Sequence, residues 1–133
     1  MRSRAWVGVA LLKIASLYLL AGLVLGLALA IAKDFSLLSV HSHLLLLGWA
    51  TLAITGVVYL VLPRCATTRL ATAHFWLHNL GLPLMMASLA AETLGERRAE
   101  PLIGVGSILV IVGLGLFTFN VLRNAGPAEG ADA

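Results

Sequence analysis

The chain has 133 residues, of which 60% are apolar and only 11% charged, and its mean hydropathy is +0.99. A water-soluble domain of this size could not keep so much apolar surface out of water, so lipid is the expected solvent. The formal charge of +3 comes from basic residues scattered at helix ends without the aromatic interleaving of a nucleic-acid surface, which argues against nucleic acid as a partner and marks them as topology signals. Cys65 is the only cysteine, so neither an intrachain disulfide nor a Cys-x-x-Cys metal motif is available.

Four apolar stretches, each able to cross a bilayer of about 30 Å as a helix, are expected at about 6–32, 37–62, 70–94 and 102–122. The fold expected is an all-α, integral-membrane four-helix domain over residues 1–123, followed by a disordered tail of Gly, Ala and acid over 124–133. Arg2 and Arg4 ahead of the first stretch imitate the start of a signal peptide, but the apolar run that follows is too long for one. Lys13 lies within that run, close enough to its start to reach back to the headgroups. Gly22 and Gly26 form a small-xxx-small pattern that favours close helix packing. Pro63 stops the second stretch. Pro83, inside the third, removes a helical hydrogen bond and frees the carbonyl of Asn79, for which His78 or Trp76 are the expected donors. The fourth stretch carries Gly104, Gly106, Gly113 and Gly115 and no ionisable group before Arg123, and is read as structural.

Arg2, Arg4, Arg64, Arg69 and Arg123 fall on one side of such a topology, and Lys33, Arg97 and Arg98 on the other. The excess places both termini in the cytoplasm and the chain in the inner membrane as a multi-pass protein.

All four histidines lie inside the apolar stretches, where an ionisable group costs a few kcal/mol unless something uses it. His41 and His43 are two residues apart, which turns their side chains about 200° from each other around a helix. They cannot share one metal on one face, but they can serve sites on opposite flanks. Gly48 two turns below His41 and Ala50 below His43 suggest clearance for a flat macrocycle. The plainer alternative is that each imidazole bonds a neighbouring helix. His74 and His78 have metal-ligand spacing at i, i+4, on a face that continues through Gly81, Met85, Ser88 and Glu92. They start from the other side of the membrane, so packing and carbonyl satisfaction is the favoured reading for them, with metal ligation behind it. Arg97 and Arg98 lie at the His41/His43 end, where guanidinium groups suit carboxylates, although Glu96 and Glu100 also allow surface ion pairs.

His41-Ser42-His43 with Gly48, Trp49, Thr51, Gly56, Tyr59 and Pro63, and later Phe75-Trp76-Leu77-His78-Asn79 with Gly81 and Pro83, resemble the catalytic subunit of heme-copper oxidases, nearest the cbb-type and nitric-oxide-reductase branch. The resemblance covers the second and third helices. It implies one four-helix arc of a subunit built from three such arcs, with His41 and His43 as axial ligands of heme b and Arg97 and Arg98 at the propionates. The family's copper ligands include an adjacent His-His pair, which this chain lacks, and usually a nearby tyrosine, whereas Leu45 and Leu47 stand one turn beyond the two histidines. The resemblance therefore implies electron transfer through bis-histidine heme, with an unidentified redox partner. The alternatives are an oxidase or reductase with an open heme face, which would make the chain an oxidoreductase, and a cofactor-free subunit or assembly factor. Because His41 and His43 face apart, a second copy must complete each ligand pair, and a homotrimer would restore the twelve-helix plan.

A reporter fused after Ala133 is expected to be active on the cytoplasmic side; activity only in the periplasm would reverse the assigned topology.

Overall fold

Long runs of Leu, Ala, Val and Ile without internal turn residues leave the backbone one way to satisfy its polar groups without water, the α-helix. The computed structural model describes residues 6–126, so Arg2, Arg4 and the tail beyond residue 126 lie outside the described residues. Within them the chain is all-helical: α1 (Trp6–Ala32), α2 (Leu38–Val61), a short α3 (Pro63–Ala66), α4 (Arg69–Thr93), a 3₁₀ turn (Arg97–Ala99) and α5 (Glu100–Asn124). Helix α5 runs through Asn124.

The helix ends follow from local chemistry. Lys33 takes a left-handed conformation, φ 51°, at the end of α1. Pro63 opens α3 as Leu62 leaves the helical region. The Thr68 hydroxyl caps α4 by accepting from the Ala71 N–H at 3.1 Å. At the other end of α4, Gly95 adopts φ 105°; its N–H bonds the Glu92 carbonyl and the Glu96 N–H bonds that of Ala91, each at 2.9 Å, which satisfies two carbonyls the helix would otherwise orphan. Helix α2 is π-helical over Leu44–Ala50. There the N–H and the hydroxyl of Thr51 both bond the Leu46 carbonyl, five residues back. Such widened turns are rare and concentrate at functional sites.

The helices pack as two antiparallel hairpins, α1 with α2 and α4 with α5, joined more sparsely to each other. The end that carries both described termini is filled by Val7, Leu11, Leu52, Tyr59, Cys65 and Phe75. The far end is filled by Val40, Leu82, Met85, Met86 and Val110. The outward faces stay apolar, with Ile31 75% and Leu122 80% exposed, as surfaces in contact with lipid would be.

Three helices are long and apolar enough to cross a membrane: Trp6–Ala32, Leu38–Val61 and the segment Arg97–Asn124. Helix α4 has 25 residues but carries Arg69, His74, His78, Asn79 and Glu92, and it is not among these three.

The α4–α5 crossing depends on missing side chains. A Cβ on Gly106 would lie 2.6 Å from the Met85 N and 2.7 Å from the Gly81 carbonyl oxygen, whereas one on Gly104 would meet nothing within 4 Å. Gly106→Leu is therefore expected to force the helices apart and destabilise the fold by about 1–3 kcal/mol or more, with Gly104→Leu near neutral. Thermal unfolding in detergent checks this, and equal midpoints for the two variants would remove the close-crossing argument.

Candidate functional site

The helical pitch carries His41 and His43 to different flanks of α2, near its start. Val40 beside them is buried against Leu82, Met85 and Met86, with Leu89, Ala90 and Ile103 also at that core, so the start of α2 is anchored to the end of α4 and the start of α5. The Arg97–Ala99 turn joins these last two, which puts the arginine pair and the first histidine pair at one end of the molecule.

His41 turns toward α1. Its Nδ1 lies 2.8 Å from the Gly22 carbonyl oxygen, and its ring occupies the space over Gly26, where a Cβ would come within 2.6 Å of the imidazole Cε1. A carbonyl oxygen only accepts, so Nδ1 carries the proton and Nε2 keeps its lone pair. The Gly22/Gly26 pattern thus receives α2 of the same chain. His43 does the same on the other flank with its own helix: Nδ1 donates to the Ser39 carbonyl at 2.7 Å. Both imidazoles are half-buried. In each, the bond to a backbone carbonyl fixes both tautomer and ring orientation.

Two expectations about this end change. Gly48 is buried, but the space beside it is filled by Tyr18, whose ring carbon a Cβ there would meet at 2.6 Å. The space over Gly26 on α1 is likewise taken, by the His41 ring, while Ala50 is half-buried. Arg97 and Arg98 are exposed, and among the described residues neither guanidinium is paired with Glu96 or Glu100. The Glu96 carboxylate caps the 3₁₀ turn, accepting from the Arg98 N–H at 3.2 Å. In the connector after α1, the backbone N–H of Ser36 at 3.0 Å, and then its hydroxyl, hold the Asp34 carboxyl below the usual carboxylate range.

His74 and His78 are fully buried between the hairpins. The His78 Nε2–H donates to the Leu47 carbonyl at 3.1 Å, in the π-helical stretch of α2. The expected bond from His78 to the Asn79 carbonyl is therefore not made, and Trp76, the other candidate donor, is 54% exposed. Leu47 is one turn beyond His43, so His78 lies nearer that level than the sequence implied. His74 Nδ1 meets the Tyr59 hydroxyl at 3.1 Å. Among the described residues no group of three or more His, Cys, Asp or Glu is arranged to hold a metal ion. An open cavity of about 340 Å³ at the other end is lined by Arg64, Thr67, Arg123 and Asn124 and touches none of the histidines.

Sequence reasoning passed over Tyr59 as the partner of His74 and Asn120, whose amide donates to the Cys65 carbonyl. Asn120, fully buried on α5, was visible as an amide in an otherwise apolar run, and that was the available signal.

No protein-family model matches the chain, and no curated protein or solved structure matches it.

Proposed function

We propose that the chain is a membrane b-type heme protein that transfers electrons, with all four long helices crossing the inner membrane and both termini in the cytoplasm. The observation that carries this reading is the pair of Nδ1–H bonds from His41 and His43 to backbone carbonyls, 2.8 and 2.7 Å long. Each leaves an Nε2 lone pair in fixed orientation on a half-buried ring, and each raises the basicity of the imidazole as a ligand. An imidazole that merely satisfied a carbonyl would account for one such bond; two, on opposite flanks of one helix end, beside two unpaired guanidinium groups, favour a ligand that takes both nitrogen and carboxylate partners.

Heme with two imidazole ligands supplies a one-electron couple with no open coordination position. The residues do the rest. His41 and His43 offer the axial nitrogens, Gly26 gives the His41 ring its place against α1, and Arg97 and Arg98 stand ready for propionates. The fourth crossing is α4, three of whose polar residues, His74, His78 and Ser88, are buried in the bundle, so much of its lower apolarity is kept inside the fold.

His41→Ala and His43→Ala are each expected to remove most Soret absorption from the purified protein, and His74→Ala to retain it. Replacing Arg97 and Arg98 together should lower heme content or shift the midpoint potential. Equal heme content in all of these variants would end the assignment.

One helix presents these two nitrogens to different flanks, so no single chain brings both to one iron. His41 of one copy and His43 of the next would complete a pair, and a closed ring leaves no ligand unmatched. Three copies, each of four helices, form the ring we propose. Native mass spectrometry in detergent is expected to give a trimer with about one heme per chain, the ratio that one His41 and one His43 per iron requires; a heme-loaded monomer would overturn the shared-ligand scheme.

A further inference from the structure

The two buried histidines leave one nitrogen each without a hydrogen-bond partner: Nε2 of His74 and Nδ1 of His78. Both residues are 0% exposed. They stand one turn apart on α4, their ring centroids 5.7 Å apart and the ring planes at 85°. The protons on the surrounding groups can be assigned from the two ends of the cluster.

At one end the Cys65 carbonyl accepts from the Asn120 amide at 2.9 Å, so the NH₂ of Asn120 faces it whichever way the amide was placed. The Tyr59 hydroxyl lies 3.1 Å from His74 Nδ1, while the Asn120 oxygen is already taken by Asn124 at 2.9 Å. Tyr59 O–H is free to donate to His74 Nδ1, which places the His74 proton on Nε2. At the other end the Leu47 carbonyl accepts from His78 Nε2–H, so His78 Nδ1 is a bare acceptor. The two unpartnered atoms are therefore a donor and an acceptor, on rings whose centroids lie 5.7 Å apart.

We propose that a single water molecule is held between His74 Nε2 and His78 Nδ1. It accepts from the first and donates to the second, and it completes a hydrogen-bond chain in which every donor points the same way: Tyr59 to His74, His74 to water, water to His78, and His78 to Leu47. Two partners meet the minimum that a buried water needs. A direct bond between the rings is not made in the near-perpendicular arrangement they adopt. A metal ion is disfavoured by the same proton assignment, because a nitrogen that carries hydrogen has no lone pair for a metal. Both partners of the water stand on α4, and the bonds of His74 with Tyr59 and of His78 with Leu47 carry the chain on to α2, where the two hairpins meet. The site stands whether or not heme is bound.

Nitrogen-15 solid-state NMR of the histidine-labelled protein in bilayers, in the reduced state, tests this with the whole chain. The expected result is protonated Nε2 and bare Nδ1 on both His74 and His78, with magnetisation transfer from bound water to the His74 Nε2–H. Tyr59→Phe should cost His74 its single tautomer while His78, held by the Leu47 carbonyl, keeps its own. A proton on His74 Nδ1 in the native protein, a direct nitrogen–nitrogen coupling between the rings, metal-bound nitrogen shifts, or no water contact would each overturn the proposal.

Discussion

A polar group surrounded by hydrocarbon has no water to fall back on, so leaving one unbonded costs about 1–3 kcal/mol. That constraint acts first on the backbone and gives helices. It then acts on the side chains, and in this chain it has an unusual amount to act upon. Each histidine gives one ring nitrogen to a fixed partner: His41 to Gly22, His43 to Ser39, His78 to Leu47 and His74 to Tyr59. Serine and threonine hydroxyls follow the same rule by bonding back to carbonyls of their own helix, as Ser16 does to Leu12 and Thr118 to Leu114. The polar side chains within the apolar helices are thus tied to specific neighbours, and the helices are positioned by those ties as well as by van der Waals contact.

Close approach is what makes such short ties possible. Without a hydrophobic force between helices in lipid, packing rests on dispersion, which needs contact, and small residues supply it. Gly26 admits the His41 ring, and Gly81 and Gly106 let α4 and α5 cross with backbone atoms almost touching. Gly113 brings α5 against the backbone of His74 and His78, where a Cβ would sit 3.3 Å from the His78 N. Glycines with open space around them, Gly104 and Gly115, do none of this. The same residue type in one helix therefore serves an interface or faces outward according to its phase.

Much of this was legible in the sequence. The helical stretches were marked by apolar runs ended by Lys33-Asp34, Pro63 and Gly95, because in each case a residue with its own backbone preference falls where the run stops. The opposite flanks of His41 and His43 follow from helical pitch alone, and the i, i+4 pairing of His74 and His78 likewise. What was not legible depended on a second helix. Nothing in the sequence says that Tyr18 fills the space beside Gly48, that His78 reaches Leu47 and not Asn79, or that α2 widens into π turns over Leu44–Ala50, since each is decided by what packs across the interface. Helix α4 shows the limit from the other side: its polar residues lower its apolarity, yet His74, His78 and Ser88 are inside the bundle, so a count of apolar residues underrates how little of its polarity meets the surroundings.

The two histidine pairs differ in where their second nitrogen goes, and that difference separates their roles. In the pair at the start of α2, Nδ1 bonds the backbone and Nε2, the nitrogen farther from the helix, is left over on half-buried rings. In the α4 pair the leftover atoms sit on fully buried rings, and the bonded ones reach across to α2. The first pair is where we propose that a ligand from outside the chain binds; the second makes its bonds within the fold. Because His41 leans on α1 while His43 bonds only its own helix, the lone pairs of the first pair also leave by different sides. On the proposed reading a partner for either comes from beyond the hairpin that carries it, which makes the ligand chemistry of this helix end and the assembly of copies one question.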